Sequence, residues 1–223
     1  MQLIDAPSPN FDARTAPPDM IILHYTGMQT GDAALARLRD PAAKVSSHYM
    51  VEEDGRIFAL VPETRRAWHA GLSFWKGETG LNNVTIGIEI VNPGHELGYR
   101  PFPDVQIDSV LALLTDIRGR WMVPNDRILG HSDIAPARKD DPGELFPWAR
   151  LAAAGHGVWV EPPASPGAPL AKGDQAGAGL AVGGAVHPRG TPVALEGGDD
   201  GRGVVVIAAG GRQVVAQPRQ AGL

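Results

Sequence analysis

The sequence predicts an α/β domain built on a mixed β-sheet flanked by helices. Two runs, Met20-Ile21-Ile22-Leu23 and Val84-Thr85-Ile86-Gly87-Ile88-Glu89-Ile90-Val91-Asn92, are apolar and β-branched, as expected of strands buried on both faces. From Pro103, the residues Ile107, Val110, Leu111, Leu114, Ile117 and Trp121 recur at three- and four-residue spacing, which predicts a helix with one buried stripe. An Asp54-Gly55 pair between two further apolar runs is a hairpin signal.

Taken in order, residues 1–18 are polar and proline-rich and read as an irregular arm. The first buried strand ends at His24-Tyr25-Thr26-Gly27, and Asp32 to Arg39 forms a short helix that Pro41 stops. The hairpin strands are His48 to Glu52 and Arg56 to Val61, with His48 read as structural. Arg65 to Asn83 is a loop rich in Trp, Gly and Asn, either the wall of a cleft or a satellite apolar cluster. After the helix comes a short strand, Arg127-Ile128-Leu129. A last helix, from Pro147 to about Ala154, closes a domain spanning residues 19–158.

Length and composition narrow the function. The 223 residues suffice for one medium domain with a full core and something smaller. A net charge of -5 argues against nucleic acid and against a polybasic membrane anchor. No apolar run reaches the length of a membrane span, and the first residues lack the pattern of a secretory signal. The expected setting is the cytoplasm, with the periplasm or envelope as the alternative; a monomer is expected. There are no cysteines, so any metal must be held by His and carboxylate.

Gly130-His131-Ser132-Asp133 to Asp141-Pro142-Gly143 follows a strand and supplies an imidazole, an ammonium (Lys139) and a carboxylate, in a loop stiffened by prolines. With His24 from the first strand end, His131 and Asp141 make a two-His-one-carboxylate set for Zn²⁺. Three protein ligands leave a position for water, whose pKa the metal lowers toward about 7. Glu89 lies among β-branched residues, where an unpaired carboxylate is costly. A structural salt bridge is the competing reading; the functional one is preferred because the next charge in the chain lies well away. Glu89 is then the proton carrier, and Lys139 stabilises the oxyanion formed on carbonyl attack. Together these are the parts for hydrolysing an amide.

The chain resembles the zinc N-acetylmuramoyl-L-alanine amidase family, which includes bacterial peptidoglycan-recycling amidases and peptidoglycan recognition proteins. The motifs are Ile22-Leu23-His24-Tyr25-Thr26, Ser47-His48-Tyr49 through Asp54-Gly55, Ala67-Trp68-His69-Ala70-Gly71, Ile86-Gly87-Ile88-Glu89-Ile90 and the His131 to Gly143 segment. They fall in the family's order over roughly residues 20–150. The resemblance implies zinc on His24, His131 and Asp141, catalytic Glu89 and Lys139, and as substrate bond the amide between N-acetylmuramic acid and L-alanine in peptidoglycan or muropeptides. It also implies substrate contacts by His69, Tyr25, Asn92 and Arg138, with a solvated surface charge the alternative for Arg138. Where phage relatives use a hairpin tyrosine, this chain has Ser47.

Two other classes compete: a non-catalytic peptidoglycan-binding module, against which the complete ligand set argues, and another zinc amidohydrolase, which would not require all five motifs. Residues 159–223 are rich in Pro, Gly and Ala and read as a disordered tail or a degenerate peptidoglycan-binding module.

Overall fold

The computed structural model describes residues 1–160 together with two short strands, Val205–Val206 and Val215–Ala216. The chain divides into two units, Met1–Gly157 and Val158–Leu223. In the second, the two short strands pair antiparallel; the rest of the 159–223 expectation lies outside the described residues.

The first unit runs β1 (Leu3–Asp5), β2 (Phe11–Ala13), β3 (Met20–Tyr25), α1 (Gly31–Arg39), β4 (Tyr49–Val51), β5 (Ile57–Ala59), β6 (Arg65–Ala67), β7 (Phe74–Trp75), β8 (Glu78–Thr79) and β9 (Thr85–Ile90). It continues through α2 (Gly94–Leu97), α3 (Asp104–Arg120), β10 (Ile128–Gly130), α4 (His131–Ile134) and α5 (Trp148–Ala153). Its main sheet is mixed, in the order β1-β5-β4-β9-β3-β10. Only β4 and β5, the expected hairpin, pair antiparallel; the other neighbours are parallel.

The two long strands are central, and their side chains explain why. Met20 to Leu23 and Ile86, Ile88 and Ile90 are all fully buried, as strands covered on both faces require. α1 starts at Thr30, whose hydroxyl accepts from the Ala33 amide at 3.2 Å, and stops before Pro41. It buries Ala34 and Leu38 against Met50, Phe58, Leu60 and Val91. α3 buries Ile107, Val110, Leu113, Leu114 and Ile117, and also Gln106. The stripe therefore runs through Leu113, whereas Leu111 and Trp121 stay partly exposed. Gln106 is polar, and its amide nitrogen donates to the carbonyls of Val51 and Val91, at 3.1 and 2.9 Å, where those strands end.

The N-terminal arm is not irregular. β1 adds to the sheet beside β5, and β2 pairs antiparallel with β6. Each strand is three residues long, too short for a periodicity, and needs a distant partner to form. Arg14 anchors the segment by donating to the carbonyls of Glu63, Arg65, Asn83 and Thr85.

Candidate active site and metal centre

β3 and β10 end side by side, with Gly130 in register with Leu23. The next residue on each strand is a histidine, so His24 and His131 emerge together at one sheet edge. The chain then turns into α4, where the Asp133 carboxylate accepts from the Gly130 amide at 2.9 Å. The returning loop is tied back where the Ser132 amide donates to the Asp141 carbonyl, 2.9 Å away. From the other side the Tyr99 hydroxyl donates to the Pro142 carbonyl at 2.8 Å and accepts from the Leu145 amide at 3.0 Å.

These constraints bring three ligand atoms together. His24 Nδ1 is 3.0 Å from His131 Nδ1 and 2.9 Å from Asp141 Oδ2, and His131 Nδ1 is 3.1 Å from the same oxygen. All three residues are buried, and among the described residues they form a group able to hold a metal ion. The donor set fits Zn²⁺. A triangle with edges near 3 Å is slightly tighter than the roughly 3.3–3.6 Å spanned by tetrahedral bonds of about 2.0–2.2 Å, and lets all three atoms reach one shared ion. His131 Nε2 donates to the Ala70 carbonyl at 3.1 Å, which leaves Nδ1 as a lone pair facing the triangle.

The charge states match. Burial, reinforced by neighbouring His131, lowers the His24 pKa to about 4, so the imidazole is neutral near pH 7. Burial opposes ionisation of Asp141, but the close contacts with the His131 and His24 imidazoles outweigh it and hold the carboxyl below the usual range.

Glu89 is the register partner of His24 on the adjacent strand. Its carboxylate is only partly buried and opens on a pocket lined by Thr26, Met28, Ala34, Arg37, Leu38 and Val45. Desolvation pushes its pKa up to about 8; the Asp141 charge adds to the shift and Lys139 opposes it. The Lys139 charge acts on both Glu89 and His24, which places its ammonium within electrostatic range of the site. No salt bridge to Glu89 forms among the described residues, which removes the structural alternative.

The remaining expected contacts are placed differently. His69 does not line the cleft: it is 6% exposed and sits behind His24, whose Nε2 lies 3.0 Å from His69 Nδ1. Its Nε2 is 3.0 Å from the Thr85 hydroxyl. Asn92 is 1% exposed and spends its side chain on the loop that follows, donating to the Arg100 carbonyl and accepting from the Gly94 amide. Arg138 is exposed yet its guanidinium is not idle; it donates to the carbonyls of Ala70 and Leu72 at 2.7 and 2.6 Å. Tyr25 remains at the partly exposed rim, its hydroxyl 3.1 Å from His95 Nδ1. His48 is structural as expected, fully buried and accepting from the Gly87 amide at 2.9 Å. Ser47 turns its hydroxyl to the Tyr49 carbonyl.

Thr85 and Asn82 were not singled out by the sequence. Asn82 Oδ1 accepts from the amides of both His69 and Ala70, at 3.1 and 2.7 Å. One signal pointed to Thr85: it shares the period-two face of Gly87 and Glu89.

Comparison with known proteins gives a consistent picture. A family model described as N-acetylmuramoyl-L-alanine amidase matches residues 14–144. The N-acetylmuramoyl-L-alanine amidase AmiD of Escherichia coli K12 is 43% identical over 154 residues, covering 64% of this chain and 55% of that protein. The 1,6-anhydro-N-acetylmuramyl-L-alanine amidase AmpD of Enterobacter cloacae is 34% identical over 171 residues, covering 67% and 89%. Among solved structures, E. coli AmiD in complex with the substrate anhydro-N-acetylmuramic acid-L-Ala-D-gamma-Glu-L-Lys superposes with a TM-score of 0.59 at 42% identity, covering 69% of this chain and 63% of that one. AMPDH3 of Pseudomonas aeruginosa, in complex with anhydromuramic pentapeptide, superposes with a TM-score of 0.61 at 32% identity, covering 69% and 67%.

Proposed function

The chain belongs to the N-acetylmuramoyl-L-alanine amidase family, and from that premise we propose that it hydrolyses the amide between N-acetylmuramic acid and L-alanine in peptidoglycan fragments, using Zn²⁺ on His24, His131 and Asp141. The carrying observation is the buried triangle of His24 Nδ1, His131 Nδ1 and Asp141 Oδ2, with Glu89 in register beside it. The activity is proposed because the chain spans about half of the AmiD relative, 55% of its length. The relatives solved with muropeptides bound support a muropeptide substrate.

Zn²⁺ on this triad supplies Lewis acidity toward water and the scissile carbonyl. The chain's own groups do the rest. With a pKa raised to about 8, Glu89 holds or releases a proton near neutrality, so its carboxylate takes the proton of the attacking water and returns it to the leaving L-alanine amine. The Lys139 ammonium compensates the negative charge that gathers on the carbonyl oxygen. Tyr25, at the rim, is the remaining substrate contact of those expected.

Incubating the full chain with anhydromuramyl-tripeptide and separately with intact sacculi, with and without a chelator, tests the proposal. Mass spectrometry should show free peptide starting at L-alanine, lost on chelation and restored by zinc. Cleavage elsewhere in the fragment, or cleavage that survives complete chelation, would overturn it.

A further inference from the structure

We propose that His69 is a positioning residue for the metal centre, holding His24 in the one tautomer and ring orientation that turns Nδ1 to the ion. This rests on the zinc reading above and adds to it a group outside the ligand set. His24 Nε2 and His69 Nδ1 are 3.0 Å apart, and His69 Nε2 is 3.0 Å from the Thr85 hydroxyl. Neutral imidazole carries one N–H. If Thr85 takes the His69 Nε2 proton, His69 Nδ1 is an acceptor; His24 then donates from Nε2, and its Nδ1 is left bare. Every N–H in the row His24–His69–Thr85 thus points away from the triangle, and a lone pair points into it.

The surroundings hold this row in place. The His69 ring lies over Gly87, where a Cβ would come within 2.5 Å of His69 Cγ and 2.6 Å of Nδ1, so glycine at that strand position makes room for the ring. Asn82 fixes the amides of His69 and Ala70. The carbonyl of Ala70 in turn accepts from His131 Nε2 at 3.1 Å and from Arg138 at 2.7 Å. Two successive residues therefore orient both imidazole ligands, one through a side chain and the other through its backbone. His69 is only 6% exposed, so contact with a substrate does not account for it.

The test is zinc affinity, measured by competition with a chromophoric chelator, alongside the melting temperature of the metal-free protein. His69→Phe keeps a ring over Gly87 but offers no acceptor; zinc binding should weaken by about 10- to 100-fold. His69→Asn places Oδ1 near the position of Nδ1 and should recover most of that loss. Equal affinity of H69F and the parent overturns the inference, as does an H69N as weak as H69F, since packing alone would then be the cause. Should H69F fail to fold, Thr85→Val against Thr85→Ser decides: weaker binding only in T85V supports the row, and equal binding overturns it. A parent chain that binds no zinc would instead count against the proposed function itself.

Discussion

His24 and Glu89 face each other across two parallel strands, paired in register. Neighbouring strands lie about 4.8 Å apart, and register partners point to the same face. The proposed metal ligand and the proposed proton carrier are therefore held at a separation set by the sheet itself, rather than by a loop. Glu89 stays partly exposed beside its pocket, which gives water a path to it.

Glu89→Gln should bind zinc as the parent does and lose turnover by about 10²- to 10⁴-fold. Metal analysis with single-substrate kinetics on anhydromuramyl-tripeptide checks both halves; near-normal turnover would remove Glu89 from proton transfer.

The metal-free protein should show the raised Glu89 pKa in its stability. The folded value of about 8 lies above the ordinary glutamate value of 4.5, so between these values the native state binds more protons than the unfolded chain. Stability from this group is present at low pH and lost as pH rises toward 8. The melting temperature of chelated E89Q minus that of the chelated parent should therefore increase from pH 5 to pH 8; a flat difference contradicts the shift.

Asp141→Ala should lower zinc content and activity together, because it removes one corner of the triangle and leaves two imidazoles. A variant still holding one zinc per chain would take Asp141 out of the ligand set.

Lys139→Ala should leave zinc content unchanged while lowering kcat by about 10²- to 10³-fold, the effect of deleting one oxyanion donor. Loss confined to KM would make Lys139 a binding group only.

Gln106→Leu should destabilise the domain by about 1–3 kcal/mol without changing the proposed zinc site, since the Val91 carbonyl loses its buried side-chain donor and the Val51 carbonyl keeps the Val91 amide alone. Denaturant unfolding measures this, and an unchanged midpoint would show that both carbonyls find another partner.

What the sequence determined by itself is the frame and the chain positions of the candidate site. Buried strands announce themselves by continuous β-branched runs, so β3 and β9 were legible, and with them the chain positions of His24 and Glu89. A histidine after a short strand and an aspartate in a proline-bracketed loop made His131 and Asp141 candidate ligands, because zinc without cysteine leaves few donor types, and the fold brings them together with His24. Tertiary structure alone decided which way the other polar groups face. His69 and Asn92 lie in or beside loops, where no period of two or 3.6 states a direction, and each turned inward to satisfy buried partners brought near by distant segments. Arg138 likewise spends its guanidinium on carbonyls of residues 70 and 72, a contact no local pattern encodes. The three-residue strands β1 and β2 were hidden for the same reason: their order comes from pairing across the chain, and a buried hydrogen bond is specified by both of its ends.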